Sequence, residues 1–105
     1  MDDDLVFKAL ADSSRRRLLD RLRKKSGQNL SALCEGLAMS RQAVAKHLQL
    51  LEEANLVAVQ WEGREKRHYL NPVPINEIAE RWIGKFDQPR LAALADLKRA
   101  LEKKR

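Results

Sequence analysis

Cysteine is almost missing from this chain. Cys34 is the one thiol in 105 residues, which excludes an internal disulfide framework. Long apolar runs are missing too, and none comes near the length of a bilayer-spanning helix. Glycine and proline are sparse, at four and three residues, and they form no low-complexity segment, linker or repeat. The glycines build no phosphate-binding loop, and no nucleophile has a base at motif spacing. The two histidines, His47 and His68, have no metal-ligand spacing with Cys34. These absences argue against an enzyme, and the sequence asks for no cofactor and no metal. Met1-Asp2-Asp3-Asp4 is acidic, unlike the cationic start of a signal or transit peptide, so a cytoplasmic protein without membrane contact is expected.

What the chain has in quantity is charge, with a basic excess. Lys and Arg number 21 against 15 Asp and Glu, a formal net charge of +6. With 44% hydrophobic and 34% charged residues the chain has the balance of a folded, helical domain. Its length suits one domain over residues 1–105. A polyanion is a natural partner for such a surface. A monomer this small buries only about two-thirds of its unfolded surface, so a second copy would add stability.

Periodicity outlines the elements. Leu5 to Ala11 reads as a short apolar helix with Asp2–Asp4 at its positive end. Asp12-Ser13-Ser14 reads as the cap of a second helix that carries Leu18, Leu19 and Leu22. Its other faces hold Arg15, Arg16, Arg17, Arg21, Arg23, Lys24 and Lys25, and Gly27 ends it. Asn29 to Leu37 reads as a short helix, Ala38-Met39-Ser40 as a turn, and Arg41 to Ala54 as a helix capped by Ser40. Asn55 follows where a left-handed residue is often needed. Val57, Val59 and Trp61 then alternate with Ala58 and Gln60, and after Glu62-Gly63-Arg64-Glu65 a second strand runs to Leu70. That pattern predicts a β-hairpin. Ile75, Ile78, Ala79, Trp82, Ile83 and Phe86 form a helical stripe, Pro89 breaks or kinks it, and Leu91, Leu94, Leu97 and Leu101 mark a last helix.

Helix, turn, helix and hairpin in this order predict a mainly α fold of the winged helix-turn-helix type. At about 100° per residue, Val44, Leu48 and Leu51 fall on one side of the second helix of the motif. Gln42, Ala45, Lys46 and Gln49 fall opposite, with Arg41 beside them. A helix fits the major groove of double-stranded DNA, where Gln pairs with adenine, Arg or Lys with guanine, and Ala leaves room for a thymine methyl. Ser40, at the helix N-terminus, is placed for a phosphate. Arg64, Lys66 and Arg67 in or beside the hairpin loop are expected as phosphate or minor-groove contacts.

These residues resemble the ArsR-type winged-helix repressors. Phe7 through Asp12 and Arg15 through Leu19 resemble that family's opening, and Leu33 through Leu37 with Met39 through Leu48 its helix-turn-helix. Leu50 through Val57 resembles its helix exit, with Asn55 where Gly is usual, and Gly63-Arg64 through Tyr69-Leu70-Asn71-Pro72 its wing. The tail with Trp82 and Phe86 resembles a subgroup of small ArsR-like proteins without metal motifs. The resemblance implies a homodimeric repressor on an inverted repeat, often in its own promoter, with terminal helices at the dimer interface. Residues 12–71 are then the helix-turn-helix core and wing, and 1–11 and 72–105 the dimerisation helices. The residues agree: Val6, Phe7, Leu10, Ile78, Trp82, Ile83 and Phe86 are more apolar surface than a small core needs.

The chain departs from the family's metal sensors. A closed thiophilic site needs three or four ligands, and Asn29 to Cys34 supplies one thiol. The C-terminal helix holds no histidine to partner Glu77, Glu80 or Asp87. Cys34 reads as a small buried thiol, and His47 and His68 as packed residues. The rival readings are a sequence-blind architectural DNA binder and a winged helix used for protein contact. The Gln-rich face of the second helix speaks against the first, for which an all-cationic face is better suited.

Overall fold

The computed structural model describes residues 2–83 and 88–103. Helix α1 (Asp3–Leu10) starts on Asp2, whose carboxylate accepts from the Asp4 N–H at 2.9 Å. Helix α2 (Ser13–Lys24) starts on Asp12, which accepts from the N–H groups of Ser14 and Arg15 at 2.8 and 3.1 Å. Helix α3 (Leu30–Cys34) is shorter than its apolar pattern suggests. Asn29 lies outside it as the cap, and Gly36, with φ of 73°, turns the chain away soon after its end. The connection to helix α4 (Arg41–Glu53) is therefore longer than the expected three-residue turn.

Helix α4 ends in a Schellman motif. Asn55 has φ of 61°, its N–H donates to Glu52 O, and the Leu56 N–H donates to Leu51 O, both at 2.9 Å. Leu51 and Leu56, the apolar pair of that motif, are both fully buried. Strand β1 (Val57–Glu62) pairs antiparallel with strand β2 (Glu65–Leu70) in the register Val57–Leu70 to Glu62–Glu65. The expected four-residue loop is thus a two-residue turn, Gly63-Arg64, with φ of 62° at the glycine. Helix α5 (Val73–Trp82) and helix α6 (Gln88–Lys103) complete the chain. Pro89 stands in the first turn of α6, where its missing N–H costs no hydrogen bond.

The chain forms two compact units, residues 1–75 and 76–105. The first holds a core of Val6, Leu18, Leu22, Leu33, Val44, Leu51 and Leu56, each contributing about 1.5–3 kcal/mol by burial. Val6 is fully covered by its own chain, a correction to its expected place among interface residues. It occupies the inward side of α1 with Ala9, while Phe7 points outward at 41% exposure. Leu10 and Ile78 are half-buried, Trp82 and Ile83 are exposed, and Phe86 lies outside the described residues. In the second unit Leu94, Leu97 and Leu101 share an exposed side of α6.

Three arginines on the outer faces of α2 are structural donors. Arg15 donates to Lys8 O and Ala9 O, closing the end of α1, and its Nη1 lies 3.3 Å from His47 Nδ1 on α4. Arg16 donates to Leu10 O, and Arg21 to Leu33 O at the end of α3. The positive side chains thus satisfy carbonyls that helix ends leave open.

The Arg15 backbone N–H that Asp12 accepts from holds its carboxyl below the usual carboxylate range. Partial burial opposes this, while the Ser14 N–H and the charge of Arg15 reinforce it. A carboxyl titrating below its unfolded value of about 3.9 contributes fully above that pH and loses its contribution as pH falls through the folded-state pKa. Asp12→Ala is therefore expected to cost about 1 kcal/mol at neutral pH in urea denaturation. Asp12→Asn, which keeps a capping oxygen, is expected to stay close to the parent and to lose this acid dependence.

Candidate nucleic-acid interface

The Ser40 hydroxyl accepts from the Ala43 N–H at 3.1 Å, so its own proton remains available to an external acceptor. Beyond it α4 divides as the wheel predicts. Val44, Leu48 and Leu51 are buried, and Arg41, Gln42, Ala45, Lys46 and Gln49 are exposed. His47 is half-buried and faces Arg15. Burial of one side clamps the helix while the other presents two amides, one ammonium and a small gap at Ala45. Arg41 donates to Ser31 Oγ at 2.9 Å, which ties the start of α4 to α3.

The hairpin is fastened to the body by backbone. The Gly27 N–H donates to His68 O, and the His68 N–H donates to Gln28 O, both at 2.9 Å. His68 Nδ1 lies 2.9 Å from the same Gln28 oxygen, and His68 is 3% exposed. Gly27 has φ of 78°, and a Cβ there would stand 3.3 Å from the Tyr69 hydroxyl. Glycine is thus required by conformation and by the close approach of Tyr69. At the far end of the hairpin's base, the Asn71 N–H donates to Leu56 O and its side chain to Asn55 O, each at 2.8 Å.

The basic residues of the hairpin are not equivalent. Arg64 sits in the turn, exposed, and no described residue gives it an ion pair or hydrogen bond. Lys66 reaches back to Glu52 of α4 at 3.1 Å. Arg67 donates to Gly27 O at 2.9 Å and to Glu65 at 2.7 Å. Its Nε stands 2.7 Å from Glu62, within ion-pair range but off the line of a hydrogen bond. Arg67 is half-buried and occupied within the protein, which differs from its expected role as an open phosphate contact. The adjacent carboxylates of Glu62 and Glu65 were legible in the sequence, but their face depended on the two-residue turn.

A cleft of about 380 Å³ lies between α3, α4 and the hairpin. Arg41, Ala45, Trp61, Arg64 and Lys66 are among its walls. Trp61 is 64% exposed, whereas strand alternation grouped it with the buried Val57. Cys34 is half-buried and unbridged. Among the described residues no group of three or more His, Cys, Asp or Glu side chains is arranged to hold a metal ion. No described helix is long and apolar enough to cross a membrane.

Comparison with known proteins bears on this geometry. A family model described as a helix-turn-helix domain matches residues 10–60. The chain is 37% identical over 86 residues to YuzN of Bacillus subtilis strain 168, an HTH-type transcriptional regulator, covering 76% of this chain and 94% of that one. It is 36% identical to an ArsR-like transcriptional regulator from Rhodococcus sp. RHA1, with 92% and 90% of the two chains covered and a TM-score of 0.70. The chain belongs to the ArsR-like family of helix-turn-helix transcriptional regulators. The family consists of DNA-binding regulators rather than enzymes. A cadmium sensor from Mycobacterium tuberculosis is also similar, at 30% identity, with 81% and 82% covered and a TM-score of 0.56.

For an ArsR-like regulator with this surface, the free and the occupied cations predict different salt responses. Arg64→Ala is expected to weaken binding to all DNA and to reduce the salt slope by about one unit. Glu52→Gln releases Lys66 and is expected to strengthen binding to all DNA and steepen the slope. Fluorescence anisotropy across a salt series checks both.

Proposed function

We propose that this ArsR-like chain is a cytoplasmic transcriptional repressor that binds an inverted-repeat operator as a homodimer, its own promoter being one candidate site. The observation that carries this reading is the two-sided α4, buried at Val44, Leu48 and Leu51 and open at Gln42, Ala45, Lys46 and Gln49. In this reading α4 enters the major groove and its open residues contact base edges. Ser40 and Arg41 hold phosphate at the helix start, and Arg64, with Lys66 once released from Glu52, holds phosphate at the wing. Arg67 positions the wing through Glu62, Glu65 and Gly27.

Residues 12–71 serve as the DNA-reading part and the terminal helices as dimerisation elements. The exposed apolar side chains of Phe7, Trp82 and Ile83 support a second copy as their cover. Two copies present two α4 helices to major grooves about 34 Å apart, which is why the operator is expected to be an inverted repeat. Occupancy then blocks polymerase. The amides on α4 and the paired state of Lys66 and Arg67 favour a site-specific protein over an architectural one, for which free cations are the better design.

The deciding experiment retains sheared DNA from the source genome on the purified protein at physiological salt and sequences it. A few enriched inverted repeats are expected. Uniform retention turns the reading to an architectural binder, and no retention turns it to protein contact. Gln42→Ala is expected to change the recovered sequence preference, by about 1–3 kcal/mol of discrimination at one base pair. Trp82→Ala is expected to move the protein toward monomer in sedimentation equilibrium, and an unchanged dimer removes Trp82 from the interface.

A further inference from the structure

Trp61 has no part in the reading above, yet it is the most exposed large apolar side chain among the described residues, at 64%. Its exposure follows from the hairpin's reach. On one face of β1, Val57 is buried, Val59 half-buried and Trp61 open, because the strand leaves the body as it runs toward the turn. Trp61 pairs directly across the ladder with Lys66, so both stand on that face. The indole also lines the cleft whose opposite wall carries Arg41 and Ala45 of α4, with Ser31 of α3 and Arg64 of the turn nearby. The cleft's one carboxylate, Glu65, is already engaged by Asn29 and Arg67.

One aromatic among three cations, between the groove-directed helix and the wing, is matched to a particular chemistry. A nucleic-acid backbone alternates anionic oxygens with deoxyribose faces. Arg41, Arg64 and the indole N–H supply donors, joined by Lys66 once it leaves Glu52, and the indole's flat face supplies apolar cover for a sugar. An acidic protein segment offers the charge but no regular alternation of sugar and phosphate. We propose that Trp61 is a DNA-backbone contact, seated on the sugar-phosphate strand that passes through the cleft between α4 and the hairpin. This inference rests on the DNA reading of the same surface. A backbone contact anchors the protein without reading bases, so Trp61 adds affinity for every sequence and fixes the position of α4 in its groove.

The test uses the full chain with both tryptophans replaced biosynthetically by 5-fluorotryptophan. The probes are an inverted-repeat duplex recovered from the genomic selection and a random duplex of equal length. Trp61→Phe assigns the Trp61 fluorine resonance, and circular dichroism verifies that the variants fold, as replacement of an exposed side chain predicts. The Trp61 signal is expected to shift and lose its solvent-isotope sensitivity on binding either duplex. Trp61→Ala is expected to weaken binding to both by on the order of tenfold, and Trp61→Phe, which keeps a ring but no donor, by less. DNA binding with an unmoved Trp61 signal and unchanged affinities overturns the inference while the DNA reading stands. A loss confined to the inverted repeat makes Trp61 a base reader and overturns the backbone assignment. Failure of the parent protein to bind either duplex overturns both readings together.

Discussion

The surface described above depends on a short backbone clip. Gly27 and Gln28 exchange hydrogen bonds with His68 of β2, which makes the hairpin continuous with the chain that leaves α2. A two-stranded hairpin alone is marginal in water. The clip supplies its third backbone partner, and the buried His68 ring adds a contact to the Gln28 carbonyl. Gln28 also reaches back with its side-chain amide to Arg21 O and Lys25 O at the end of α2. One residue thus links the end of a core helix to the wing, and the angle between α4 and the hairpin follows from that link and from Asn71 at the other edge.

The same economy governs charge. Much of the basic excess does not face a ligand. Arg15, Arg16 and Arg21 close helix ends, Arg67 braces the hairpin, and Lys66 is paired with Glu52. Cations used in this way are not free to displace counterions from DNA, so net charge overstates the polyanion footprint. Around α4 and the turn the exposed cations are Arg41, Lys46 and Arg64, beside the neutral Gln42 and Gln49, while Lys8, Arg17, Arg23, Lys24 and Lys25 are exposed on α1, α2 and just after α2.

Local signals in the sequence were faithful wherever a residue's partner lies within a few positions. Asp12 and Ser40 cap as read because their acceptors meet N–H groups two or three residues on, and Asn29, read as part of α3, caps it in the same way. Asn55 takes its left-handed conformation for the same local reason, to close α4. The inward side of α4 was legible because three leucine or valine positions repeat at helical spacing. The reading failed where alternation or composition stood in for distance. Trp61 has the strand phase of a buried residue but stands beyond the core, and Val6 has the composition of an interface residue but lies inside it.

The sequence by itself determined the order of elements, the caps at Asp12 and Ser40, the two-sided α4 and the family. Each of these rests on periodicity or on contacts between near neighbours. Only the tertiary structure decided which cations are free, where the hairpin stops being covered, and that Trp61 shares a cleft with Arg41. Those facts depend on pairings across long stretches of chain, such as Gln28 with His68 and Glu52 with Lys66, and no local rule specifies which distant carbonyl or carboxylate a flexible side chain will meet.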